Sequence, residues 1–166
     1  MEERDFSYRN LIVWQKAMAF SQLVYSLVRS FPAEERFALS DQIRRAVVSI
    51  ASNIAEGCGR ASNRDYAHFL SIARGSLYET MTQLEMARAF GYIDSLSEVE
   101  LSAKEIARML GALMKTARLC ALLHITQTMT TQVKSHLPLT SAEAENMKFI
   151  SLTKAMTASL SIQLTL

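Results

Sequence analysis

Proline and glycine are scarce: the 166 residues hold two Pro and five Gly. So little punctuation argues against a fold of many short strands and favours long helices. Cysteine is as rare as proline. Cys58 and Cys120 lie far apart in sequence and match no zinc spacing, which speaks against a disulfide scaffold and for a reducing, cytoplasmic setting. His68, His124 and His136 show no ligand spacing either, so neither a metal nor another cofactor is expected. A dominant charge is missing too: 18 Lys and Arg against 16 Asp and Glu leave +2, and affinity for a polyanion would need a local patch. No uncharged apolar run reaches the roughly 20 residues of a membrane span. The longest, Leu119–Val133, is threaded with Thr and Gln. The opening MEERDFSYRN is polar and mixed in charge, which is not a signal-peptide pattern.

What is present is helical periodicity. Leu11, Trp14, Met18, Ser21, Tyr25 and Val28 form a heptad-like seam, widened by Phe20, Val24, Leu27 and Phe31, in a helix capped by Asn10 and stopped before Pro32. Residues 33–39 are a connection, with Phe37 and Leu39 tucked over the bundle end. A second helix opens at Ser40 as its cap and carries Ile43, Val47, Ile50 and Ile54 on one face, until Gly57 and Gly59 break it. A third runs from Asn63, behind the weak capping box of Ser62 and Asp65, to Phe90. Tyr66, Leu70, Ala73, Leu77, Leu84 and Ala87 make its stripe, and Gly91 ends it. Gly75 in mid-helix suggests close approach of another backbone. Ser97 with Glu100 caps a fourth helix, with Val99, Ile106, Leu110, Leu113, Ala117 and Cys120 inward, ending near Leu123. Four amphipathic helices with short connections predict an all-α, antiparallel, up-down-up-down four-helix bundle over residues 1–123. Residues 124–166 form a Ser/Thr-rich extension. Its reading is a linker over Thr126–Thr140, a helix from Ser141 to about Met156, and an alternating end, Leu160 to Leu166, docked on the bundle or on a neighbouring subunit.

One ordered set of residues carries a family resemblance. It comprises Trp14-Gln15-Lys16, Gln42-Ile43-Arg44-Arg45, Ser49, Asn53-Ile54-Ala55-Glu56-Gly57, Gly59-Arg60, Gly75-Ser76-Leu77 and Gln83-Leu84. From about Asn10 to about Leu122 the chain resembles the four-helix-bundle proteins encoded by intervening sequences in bacterial large-subunit rRNA genes. The resemblance implies this bundle, no enzymatic activity and a homo-oligomer, with a pentamer as the first expectation because some relatives form ring-like pentamers. The bundle also resembles accessory proteins of diversity-generating retroelements, which work with a reverse transcriptase and its RNA.

Two functional classes follow. Arg44, Arg45, Arg60, Arg64 and Arg74 are candidate contacts to RNA or DNA, since guanidinium forks suit phosphate. The alternative is a protein–protein assembly module in which the same arginines pair with carboxylates across subunits. Asn53, Glu56, Glu79 and Gln83 are expected to form a structural polar cluster, with Arg60 beside it. Trp14, the lone Trp, serves as core or as an interface anchor. Gly57-x-Gly59 lacks the strand, the third Gly and the Lys-Ser/Thr of a phosphate loop, and reads as a turn. No catalytic residue and no small-molecule substrate are indicated.

Overall fold

The computed structural model describes residues 3–136. A 3-10 helix, Glu3–Asn10, leads into α1 (Ile12–Val28). A second 3-10 helix, Ala33–Phe37, precedes α2 (Leu39–Cys58), which is followed by α3 (Asn63–Ala89) and α4 (Ser97–His136). No strand occurs among the described residues. The chain divides into two compact units, Met1–Leu123 and His124–Leu166, and the first holds the bundle.

Short connections make successive helices antiparallel neighbours. The α2 helix packs most extensively on α3 and also on α1. The Lys16 ammonium meets the Glu105 carboxylate at 2.8 Å and ties α1 to α4. Ala103 and Ala107 of α4 face Leu77 and Tyr78 of α3 across a shared groove. The core is therefore a four-sided stack. Phe20 and Val24 of α1, Ile43, Ile50 and Ile54 of α2, Leu70, Leu77 and Leu84 of α3, and Ile106 and Leu110 of α4 are fully excluded from solvent. Burying each of these larger side chains contributes about 1.5–3 kcal/mol.

The stripes of α2, α3 and α4 lie where the periodicity puts them. That of α1 is rotated: Val13, Ala17, Phe20, Val24 and Val28 point inward, Trp14 is half-buried and Met18 is exposed. Two neighbouring stripes on α1 are both apolar, so periodicity alone does not choose between them. The side chain of Ala17 ends at Cβ, so the inward stripe lets α1 lie close to its neighbours.

Helix ends follow local hydrogen bonds more than residue type. Ser62 caps α3, accepting from the Asp65 N–H at 3.0 Å. Gly91, at φ +79°, closes it: the Tyr92 N–H reaches the Ala87 carbonyl at 2.9 Å and the Gly91 N–H reaches Arg88 at 3.0 Å. Elsewhere the expected caps are replaced. Asn10 belongs to the 3-10 helix, and Leu11 precedes α1 without a side-chain cap. Ser40 lies inside α2 and is buried, while Glu35 accepts the Leu39 N–H at 3.1 Å and supplies the missing partner. Ser95, not Ser97, offers its hydroxyl to the start of α4. Phe37 does not tuck over the bundle end; it is 86% exposed and stacks with the Arg36 guanidinium, whereas Leu39 does pack on the core.

Three further expectations are corrected. Gly57 does not break α2, which runs through it to Cys58. The close backbone approach expected at Gly75 is absent among the described residues, for a Cβ there would meet none of their atoms within 4 Å. Helix α4 also continues past Leu123 to His136, so residues 126–136 are helical rather than a linker. No Gly or Pro lies between Ala112 and His136 to stop it, and Ser and Thr alone do not end a helix. The expected helix from Ser141 and the alternating end fall outside the described residues.

Candidate nucleic-acid surface

The turn joining α2 to α3 is built around Gly57. A Cβ on Gly57 would sit 3.0 Å from Cβ of Phe69 and 3.1 Å from the Tyr66 ring. Glycine therefore lets the first turns of α3 close on the last turn of α2. Phe69 in turn lies under Arg60, whose guanidinium carbon is 4.4 Å from the ring centroid and whose other partner is the Glu56 carboxylate. Cation–π stacking and an i,i+4 ion pair thus hold Arg60 against the turn. Beneath it a cavity of about 310 Å³ is lined by Ser7, Leu11, Cys58, Arg60, Asn63 and Tyr66.

The cavity does not carry nucleophilic chemistry. Burial raises the Cys58 thiol above its ordinary pKa, outweighing the hydrogen bond with Tyr66 that lowers it. The Tyr66 hydroxyl is pushed up to about 12, first by burial and then by Cys58. Both groups stay protonated at neutral pH, so neither acts as a base or an anionic nucleophile there. Among the described residues no three His, Cys, Asp or Glu gather at metal-binding distance.

The five candidate arginines are divided between several directions. Arg44 and Arg45 are consecutive on α2 and point about 100° apart. Arg45 pairs with Asp41 at 3.3 Å, while Arg44, half-buried, has no ion pair among the described residues. Arg60 is engaged as described. Arg64 stands exposed on the first turn of α3. Arg74 lies one turn before Tyr78, on the side of α3 that faces α4. Neither has an ion pair among the described residues.

The polar residues are joined in three separate groups. Asn53 donates to the Ser49 carbonyl at 2.7 Å and to the Ser49 hydroxyl at 2.9 Å, and that hydroxyl reaches Ser76 on α3 at 2.9 Å. Glu56 holds Arg60. Gln83 donates to Glu79 at 3.1 Å. Ser49 opposite Ser76 sets the antiparallel register, and Gln83, two turns further along α3, lies opposite the first turn of α2. It is well removed from Asn53 and Glu56. In sequence, Ser49 and Ser76, which complete the Asn53 group, stand out only as members of the ordered set that carries the resemblance. Trp14 meets Tyr8 edge-to-face at 5.2 Å and packs on the core from its rim.

Arg108, Lys115 and Arg118 of α4 are further exposed cations without an ion pair among the described residues. Sequence reading passed over them because they do not cluster; the readable signal is a stretch from Ile106 to Leu123 that has cations and no carboxylate.

Comparison with known proteins agrees with this architecture. Residues 9–112 match the family described as 23S rRNA-intervening sequence protein. A crystal structure of a protein of unknown function from the S23 ribosomal protein family of Bacteroides thetaiotaomicron is similar at 28% identity and a TM-score of 0.58. The similarity covers 63% of this chain and 99% of that one. No curated protein matches.

Proposed function

Because the chain belongs to the 23S rRNA-intervening sequence protein family, we propose that it is a nonenzymatic, homo-oligomeric protein of the cytoplasm that contacts RNA or DNA through arginine. The observation that carries this reading is that Arg64 and Arg74 have no carboxylate partner among the described residues, leaving their forks available to phosphate. The similar solved protein is named for a ribosomal protein family, which favours RNA. A pentamer is the assembly first expected. No described helix is long and apolar enough to cross a membrane.

The second reading, an assembly module without nucleic acid, is favoured by one observation: Leu101, Leu119 and Leu122 of α4 are 51–70% exposed. One experiment separates the two. Purified protein is titrated with labelled RNA at several salt concentrations while light scattering reports its mass. The first reading expects binding that weakens steeply with salt, lost on Arg64→Glu/Arg74→Glu, at a mass several times the 18.6 kDa chain. An oligomer without RNA or DNA affinity at any salt supports the second. A concentration-independent monomer refutes the oligomer.

A further inference from the structure

We propose that the face shared by α3 and α4, rather than the α2–α3 turn, is the main phosphate-contacting surface, and that it takes the backbone of duplex RNA. The inference rests on the nucleic-acid reading above and assigns it a place and a ligand form.

The geometry starts from the groove between these helices. Tyr78, Met81 and Glu85 line it from α3, and Glu100, Ala103, Lys104 and Ala107 from α4. Steps of three and four continue each stripe along its helix. On α3 the stripe passes back from Tyr78 to Arg74, with Arg64 at its N-terminal end. On α4 it passes forward from Ala107 to Gly111, Lys115 and Arg118, with Arg108 one turn after Lys104. The helices are antiparallel, so both continuations run toward the same end of the bundle. At the first end the charges are matched: Lys104 pairs with Glu100 at 3.0 Å and Arg88 with Glu85 at 2.7 Å. At the other end they are not. Between Tyr66 and Tyr78, and between Ile106 and Leu123, there is no Asp or Glu. Of the flanking carboxylates, Asp65 accepts from the Ser62 hydroxyl at 2.7 Å, Glu79 accepts from Gln83 at 3.1 Å and Glu105 is bound to Lys16. Arg64, Arg74, Arg108, Lys115 and Arg118 therefore form a patch of five cations without an ion pair among the described residues, although the whole chain carries only +2.

The patch is open. Among the described residues, a Cβ on Gly75 or on Gly111 would meet nothing within 4 Å. Each row of cations spans about ten residues, or ~15 Å, and packed helices lie ~8–10 Å apart. Two such rows suit the phosphates bordering the deep, narrow major groove of an A-form duplex. Stacking on splayed bases would need aromatics along the strip, and Tyr78 at its matched end is the one the stripe offers. Contact is thus with backbone rather than bases.

Fluorescence anisotropy with a labelled RNA duplex of about 20 base pairs tests this. The proteins are the full chain, the triple variant Arg108→Glu/Lys115→Glu/Arg118→Glu, and Arg44→Glu/Arg45→Glu. The three α4 side chains are exposed, so the fold should survive; circular dichroism checks it, and the corresponding Gln variants stand in if it does not. The triple variant should lose at least tenfold in affinity, and its log–log salt slope should shrink by up to about 3, near one per lost phosphate contact. The α2 variant should change less than threefold. If the α2 variant loses binding and the triple variant keeps it, the assignment to α3–α4 falls while the nucleic-acid reading stands. Tighter binding to the single strand or to duplex DNA overturns the duplex-RNA assignment. Binding to phosphatidylserine vesicles but to no nucleic acid overturns both readings, as does absence of all binding by the unmodified protein.

Discussion

The hydroxyls of Ser49 and Ser76 stand 2.9 Å apart across the α2–α3 interface. Each is also bound within its own helix: Asn53 donates to Ser49 at 2.9 Å, and Ser76 donates to the Ile72 carbonyl at 3.2 Å. Small side chains bring the two backbones together here, and the polar atoms they enclose are satisfied. Gly57 continues the same seam toward the turn.

Glycine is required at Gly57 and dispensable at Gly75. Gly57→Ala gains helix propensity but forces Cβ against Cβ of Phe69 at 3.0 Å, an atom fixed to the α3 backbone. Overpacking of this kind costs about 1–3 kcal/mol, so the net change is a loss. Gly75→Ala meets no atom within 4 Å among the described residues and should add about 0.5–1 kcal/mol. Denaturant midpoints moving in opposite directions would establish this, and equal shifts would contradict it.

Stability should fall at alkaline pH through Tyr66. Its folded pKa is raised to about 12 from an ordinary 10. The unfolded chain therefore releases this proton first, and unfolding gains on folding as pH rises from 10 to 12. The contribution is whole below pH 10 and lost as pH passes 12. Thermal melts from pH 9 to 12 should decline less steeply for Tyr66→Phe than for the unmodified protein. Parallel declines would show that Tyr66 does not titrate in this way.

Among the described residues the side-chain oxygen of Gln83 is buried without a hydrogen-bond partner, while its amide nitrogen binds Glu79 near the surface. An unsatisfied buried acceptor costs about 1–3 kcal/mol. Met has nearly the same shape and no such oxygen, so Gln83→Met should raise stability by about 1 kcal/mol in chemical denaturation. A loss would mean that the bond to Glu79 outweighs the orphaned oxygen.

Much of the bundle is legible in sequence because its signals are local. Ile43, Val47, Ile50 and Ile54 leave only one inward face for α2, and Gly91 with Tyr92 spells a helix end that any context would respect. The stripe of α1 was not legible, since Val13 and Ala17 compete with Trp14 and Met18 and only the neighbouring helices decide. The polar residues were legible as types but not as partners. Asn53 and Gln83 read as one cluster, whereas the register set at Ser49 and Ser76 separates them.

By itself, then, the sequence determined four helices, their antiparallel order and most of their buried faces, because periodicity and caps act within a few residues. Only the tertiary structure decided where the chain needs glycine, which serines join two helices, and how its cations are distributed. Arg44 and Arg45 are adjacent in sequence yet point apart, while Tyr78 and Lys104, 26 positions from one another, line one groove. Helix rotation and register place charges in space, and both are fixed by how side chains fit against a neighbouring helix, a relation between segments distant in the chain.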